Sequence, residues 1–139
     1  MVYRILIVDD EIIERTAMEE LVNWQSIGAV LAGSARNGKE ALHKIDELTP
    51  DIVITDIKMP VMDGLELIEK ARSSYPDIVF VVLSGYGEFE YTSRAMENGI
   101  KHYILKPVDS AKVLETSVKA MKDVDEIRKT REKRAHWNS

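Results

Sequence analysis

Five short apolar runs alternate along this chain with stretches whose apolar residues recur at helical spacing. The first run covers residues 3–8, and Ile13, Ala17 and Leu21 then fall at i, i+4 and i+8, which predicts a helix with that face inward. A weaker run at 29–32 precedes Asn37, placed to cap a helix carrying Ala41, Leu42, Ile45 and Leu48. The third run, 52–55, is followed by a turn from Met59-Pro60 to Asp63-Gly64 and by a helical period through Leu65, Ile68 and Ala71. Tyr75-Pro76-Asp77 ends that helix, because proline disfavours helical geometry in the residue before it. The fourth run, 78–83, leads through Gly85 and Gly87 to a shorter helix marked by Phe89, Thr92, Ala95 and Met96 and closed by Asn98-Gly99. The fifth run, 102–105, precedes Ser110, expected to cap a long last helix with Val113, Ala120, Val124 and Ile127 inward.

Strands alternating with helices of this length predict right-handed crossovers and a parallel sheet covered by helices on both faces. The unbroken apolar character of runs one, three and four fits strands buried on both sides. The pattern alone does not give strand order. From 122 to 134 the chain is mostly charged with mixed sign, and apolar periodicity fades after Ile127. Two readings fit this stretch: a solvated helix end, or a linker helix leading to a second domain outside the chain.

A length of 139 residues suits one domain, and 45% apolar content suffices for a core. Cysteine is absent, which excludes disulfides, thiolate catalysis and cysteine-based zinc sites. No apolar stretch approaches a membrane span, and the N-terminus enters a strand directly without signal-peptide organisation, so a cytoplasmic protein with no membrane partner is expected. A net charge of −5 argues against direct nucleic-acid binding by this domain. It also means that a bound phosphate would need a cation beside it.

Four of the runs end in residues able to handle phosphate or metal: Asp9-Asp10, Asp56, Ser84 and Lys106-Pro107. Parallel strands place these ends on one edge, where open α/β sheets build their sites. Adjacent carboxylates such as Asp9, Asp10 and Glu11 are costly without a cation, although acidic residues at a helix start are also ordinary caps. Asp56 stands well before the next helix, so it is free to act as a nucleophile. Ser84 offers a hydroxyl beside a small glycine, and Lys106 a mobile positive charge; its bond to Pro107 is of the type that can be cis. Singly these are turn and surface residues; jointly they suit Mg²⁺-assisted phosphoryl chemistry on an aspartate. His43, His102 and His136 lack metal-ligand spacing, and Trp24 and the methionines read as packing groups.

These motifs, Ile7-Val8-Asp9-Asp10-Glu11, Asp56-Ile57-Lys58-Met59-Pro60 with Asp63-Gly64, Leu83-Ser84-Gly85 and Tyr103-Ile104-Leu105-Lys106-Pro107, resemble the receiver domain of bacterial response regulators over residues 2–124. The resemblance implies a single flavodoxin-like (βα)5 fold, strand order 2-1-3-4-5, with residues 1–124 as receiver and 125–139 as a charged helical extension. It implies that Asp56 accepts a phosphoryl group from a sensor histidine kinase. It further implies that Asp9, Asp10, Asp56 and the Lys58 carbonyl hold Mg²⁺ or Mn²⁺, and that Ser84 and Lys106 bind phosphoryl oxygens. Ser84 and Tyr103 would switch the surface of the fourth helix, fifth strand and fifth helix, forming a homodimer or meeting an output domain. Lys58 and Tyr86 would flank the pocket and tune phosphoryl lifetime.

The stretches Val22-Asn23-Trp24, Asn37 to Leu42 and Ser84 to Tyr91 are similar to a subgroup in which the receiver precedes an AraC-type DNA-binding domain, which implies transcription as the output. Such a domain would not turn over a small substrate. Three alternatives compete. A complete single-domain regulator or phosphorelay protein keeps the same chemistry. A phosphatase of the haloacid-dehalogenase type would need Asp-x-Asp after the first strand and a lid. A flavin-binding module would need a phosphate-cradling loop where Asp9-Asp10-Glu11 stands.

Overall fold

Alternate residues along each central strand point into two separate cores. In a computed structural model, which describes residues 1–138 (the last two as helix only), β1 is Tyr3–Val8, β2 Ala29–Ala35, β3 Ile52–Asp56, β4 Val79–Ser84 and β5 His102–Leu105. All pair in parallel, in the order β2-β1-β3-β4-β5. Leu6, Val8, Val53, Phe80 and Val82 face one side, against α2 (Gly38–Leu48), α3 (Gly64–Ser74) and α4 (Phe89–Glu97). Ile5, Ile7, Ile52, Ile54, Val81 and Leu83 face the other, against α1 (Ile12–Glu20) and α5 (Ser110–Asn138). Each such fully buried branched side chain contributes roughly 1.5–3 kcal/mol relative to exposure. This is a flavodoxin-like α/β fold, as the resemblance implied.

The helix boundaries follow local chemistry. Asn37 caps α2 by accepting from the Glu40 N–H at 2.8 Å, and Asp63 caps α3 by accepting from Glu66 at 2.9 Å. Two expectations need correction. Ile13, Ala17 and Leu21 do not line the inner face of α1: Ile13 is 86% exposed, and Met18 and Val22 carry the packing. One residue turns a helix by about 100°, so Met18 rather than Ala17 sets the buried side. Trp24, in a short 3-10 turn, fastens that side by donating to the Met18 carbonyl at 3.0 Å. The cap of α5 is Asp109, not Ser110: its carboxylate accepts from the Ala111 N–H at 2.8 Å, and Ser110 is already helical. A carboxylate also suits the positive end of the helix dipole.

Edge strand β2 runs on through Gly33 and Ser34 to Ala35, beyond the apolar stretch, with a register shift opposite Ile5 and Leu6. An edge strand with half-buried faces tolerates those small polar residues. Helix α5 continues unbroken past residue 124. Asp125 accepts from the Tyr3 hydroxyl at 2.6 Å, Arg128 pairs with Asp51 at 2.5 Å and Arg131 with Asp77 at 2.6 Å. Asp51 and Asp77 precede β3 and β4, so this part of the helix lies along the N-terminal edge of the sheet. A concavity of about 530 Å³ between the extension and the starts of β4 and β5 is lined by charged groups such as Arg72, Lys101 and Asp123, far from the opposite edge where the candidate chemistry gathers.

Candidate functional site

The C-terminal edge of the sheet gathers Asp9, Asp56, Ser84 and Lys106 at the ends of four strands. Asp9 ends the β1 ladder, its N–H bonded to the Ala35 carbonyl at 3.0 Å, and its side chain is 0% exposed. One of its oxygens accepts from the Glu11 N–H at 3.0 Å, an Asx turn that aims the carboxylate inward. The other, Oδ2, is buried with no hydrogen-bond partner. Arg15 holds the Asp9 backbone carbonyl at 2.8 Å. Asp10 is exposed beside them.

Asp56, the last residue of β3, is 2% exposed. Its Oδ2 accepts from Lys106 Nζ at 2.9 Å, while its Oδ1 is buried and unpartnered. The Lys106 N–H bonds the Ser84 carbonyl at 2.9 Å, which ties the ends of β5 and β4 together, and the Lys106–Pro107 bond is cis. Ser84 is buried at the end of β4. After β3 the chain makes a tight turn in which the Met62 N–H bonds the Pro60 carbonyl at 2.9 Å and Val61 takes φ 70°. A β-branched residue in that region stores strain, and such strain gathers beside functional groups. Gly64 closes the turn: a Cβ there would stand 2.3 Å from the Asp56 carbonyl oxygen, so a larger residue would push the Asp56 backbone aside.

Glu14, which nothing in the sequence reading singled out, completes the cluster. It lies in the first turn of α1, with Oε1 buried, unpartnered and 3.8 Å from Lys106 Nζ. Oxygens of Asp9, Glu14 and Asp56 all lie within 4.8 Å of one another. Its signal was available: an acidic residue in the first turn of the helix that follows Asp9 points back toward the strand edge.

Burial lifts the Asp9 carboxyl to about 7, aided by the neighbouring Glu14 carboxyl and opposed by the Glu11 N–H and Lys106. Two carboxylates both accept, so Asp9 and Glu14 bond to each other only when one carries a proton. Burial likewise lifts Asp56 to about 6, with the Lys106 hydrogen bond and charge pulling the other way. Burial works against the Lys106 charge, but Asp56, Glu14 and Asp9 outweigh it and its pKa rises. Near neutral pH Asp56 is therefore mostly ionised and held against an ammonium group, as a nucleophile toward phosphorus requires.

The unpartnered oxygens of Asp9, Glu14 and Asp56 test whether a hard divalent cation fits. They are buried, convergent carboxylate oxygens without hydrogen-bond partners, which is the donor set such a cation takes. Asp10 and Lys58 are exposed and are not among the three converging carboxylates; Lys58 Nζ lies 6.0 Å from the centre of the Tyr91 ring. Tyr103 lies on β5, half-buried, its hydroxyl donating to the Ile100 carbonyl at 3.0 Å. Tyr86 is fully exposed in the loop after β4.

A family profile described as "Response regulator receiver domain" matches residues 5–118. The chain is 52% identical over 112 residues to the "Uncharacterized transcriptional regulatory protein YesN" of Bacillus subtilis, covering 81% of this chain and 30% of that protein. It is 36% identical over 119 residues to "Chemotaxis protein CheY" of Thermotoga maritima, covering 86% of this chain and 98% of that one. Among solved structures, a "two component transcriptional regulator AraC" from Clostridium phytofermentans superposes with a TM-score of 0.83 at 31% identity, covering 89% and 96% of the two chains. The REC domain of AraT, a response regulator from Geobacillus stearothermophilus, gives 0.79 at 31% identity, covering 94% and 99%. The chain spans only 30% and 42% of the first two curated relatives.

Proposed function

The chain belongs to the response regulator receiver family of two-component signalling, and from that premise we propose that Asp56 is the phosphoryl acceptor and that its modification switches an output, through transcription. The observation that carries this reading is the Asp56 carboxylate itself, 2% exposed, salt-bridged to Lys106 through one oxygen and bare at the other.

An oxygen of the Asp56 carboxylate attacks the phosphorus of a phosphohistidine in line. The new O–P bond forms as the P–N bond breaks, and the electron pair leaves on the imidazole nitrogen. Lys106 passes from Asp56 to a phosphoryl oxygen and stabilises the charge there, and the Ser84 hydroxyl donates to another. Asp9, Asp10, Asp56 and the Lys58 carbonyl, with Glu14 added from this geometry, would hold a Mg²⁺ or Mn²⁺ ion. When bound, that ion offsets charge on the transferring group. Burial at the strand end keeps bulk water from the acyl phosphate until it hydrolyses; the domain assists its own modification and turns over no small substrate.

The phosphoryl group draws Ser84 inward and Tyr103 follows, repacking the face of α4, β5 and α5 as a homodimer or output surface. Reversing a 1:99 population would take about 5.5 kcal/mol of preference for the active state. Residues 1–124 act as the receiver, and the 125–139 extension, helical to Asn138 with Ser139 outside the described residues, leads toward a DNA-binding domain. The identity to the YesN regulator, of which this chain spans 30%, supports that arrangement over a complete single-domain regulator. A sensor histidine kinase is the donor. Among the described residues no helix is long and apolar enough to cross a membrane; the reading places the protein in the cytoplasm.

The test is incubation with acetyl phosphate with and without Mg²⁺. One phosphoryl mass should be gained per chain, only with the cation, and no gain in either condition would reject the reading.

A further inference from the structure

A backbone amide on the same strand edge as the candidate acceptor already binds an anion, and the anion belongs to the chain itself. Gly85 follows Ser84 at the end of β4, and its N–H donates to Glu88 Oε1 at 2.5 Å. The position a Cβ on Gly85 would take lies 3.2 Å from that same Oε1 and 3.8 Å from Lys106 Cδ. The glycine, the glutamate carboxylate and the lysine stem therefore meet, and the tip of that lysine rests on Asp56. Leu83 sits opposite Asp56 in the β3–β4 ladder, so Gly85 is only two residues beyond the acceptor's neighbour, on the same edge.

We propose that the Glu88 carboxylate is a displaceable stand-in for the phosphoryl group, holding the Gly85 amide while Asp56 is free and yielding it when Asp56 is phosphorylated. The proposal rests on the reading of Asp56 as acceptor. A phosphoryl group on Asp56 brings terminal oxygens that need donors, and this edge offers Lys106, the Ser84 hydroxyl and the Gly85 N–H. A backbone N–H at a strand end serves a carboxylate or a phosphate oxygen alike. One N–H cannot serve both anions well, and two anions drawn to the same donor repel each other.

Glu88 is placed to transmit its release. It occupies the N-cap position of α4 but makes no side-chain cap to that helix; the side chain reaches back to Gly85 instead. Its own N–H bonds the Gly85 carbonyl at 3.4 Å, and its carbonyl accepts from Thr92 at 3.1 Å. Releasing the carboxylate loosens the turn over residues 85–88 and the first turn of α4. That segment carries the exposed Tyr86 and Phe89.

The test compares wild type, Glu88→Ala and Glu88→Gln in the full chain, with acetyl phosphate and Mg²⁺ as the probe. Mass spectrometry follows the initial rate of phosphoryl gain, and hydrogen exchange follows residues 85–92. Glu88→Ala should be phosphorylated about tenfold faster, the order expected for losing one charge-assisted competitor, with Glu88→Gln between. In wild type, exchange over 85–92 should rise on phosphorylation; in Glu88→Ala it should be high beforehand and change little. Equal or slower phosphorylation in both variants, or a wild-type loop equally protected before and after, would overturn the proposal while leaving Asp56 as acceptor. Absence of phosphoryl gain in wild type and both variants would overturn the underlying reading and this inference together.

Discussion

Lys106 Nζ donates to Asp56 Oδ2 at 2.9 Å, and the opposite oxygen of the same carboxylate is buried without a partner. One side of the carboxylate is thus charge-compensated and the other left reactive. Replacing Lys106 by Ala strands a buried anion. We expect Lys106→Ala to lower stability at pH 8 by about 3 kcal/mol, with a smaller loss at pH 5 where Asp56 can take up a proton. Phosphorylation by acetyl phosphate should slow about 100-fold. Urea unfolding at the two pH values and the rate of mass gain check both.

Asp9 and Asp56, raised by burial to about 7 and about 6, make stability depend on pH in a defined direction. In the unfolded chain both carboxyls lose their protons near pH 4, roughly the ordinary carboxylate value. The folded chain therefore binds more protons than the unfolded one between about pH 4 and pH 7, so stability falls as pH rises through that window and stays low above it. The loss is on the order of a few kcal/mol. Mg²⁺ should restore stability more at pH 8 than at pH 5, since protons compete for the same oxygens. Glu14→Gln should weaken that restoration. Thermal melts at both pH values, with and without Mg²⁺, give the answer; a pH-independent Mg²⁺ effect would count against the assignment.

Ile13 is 86% exposed in the first turn of α1, next to the exposed Ile12 and on the same helix turn as Glu14, and Val61 is exposed in the turn after Asp56. A phosphohistidine can reach Asp56 only if its protein covers this edge, whereas acetyl phosphate needs no such cover. Ile13→Asp should therefore slow transfer from the histidine kinase about tenfold or more and leave the acetyl phosphate rate unchanged. Equal slowing with both donors would place Ile13 in the site itself rather than in docking.

Lys58 and Tyr86 sit two residues beyond Asp56 and Ser84, exposed, with Lys58 over the Tyr91 ring. Lys58→Ala and Tyr86→Ala should change the decay rate of phosphorylated chain severalfold while leaving the melting temperature within the range usual for surface substitutions. Unchanged decay in both would remove any role in phosphoryl lifetime.

The strands and the placement of Asp9, Asp56, Ser84 and Lys106 on one edge were legible in the sequence because apolar runs buried on both faces leave few alternatives, and each of these residues stands at the end of such a run. What stayed hidden depends on helix rotation and loop closure. The α1 stripe of Ile13, Ala17 and Leu21 obeyed helical spacing yet faces outward, because spacing gives a stripe and only packing gives its direction. Glu14 and Glu88 reach the site from the starts of helices, where the direction of an acidic side chain is set by tertiary neighbours. Asp109 took the cap expected of Ser110 through a shift of one residue, the usual uncertainty of a helix end.

Incubation of wild type and Asp56→Ala side by side with Mg²⁺ and acetyl phosphate, followed by intact mass, tests the central claim most directly. Wild type should gain the mass of one phosphoryl group and lose it again on standing, while Asp56→Ala, still folded by circular dichroism, should gain none. Equal gain in both proteins, or none in either, would contradict it.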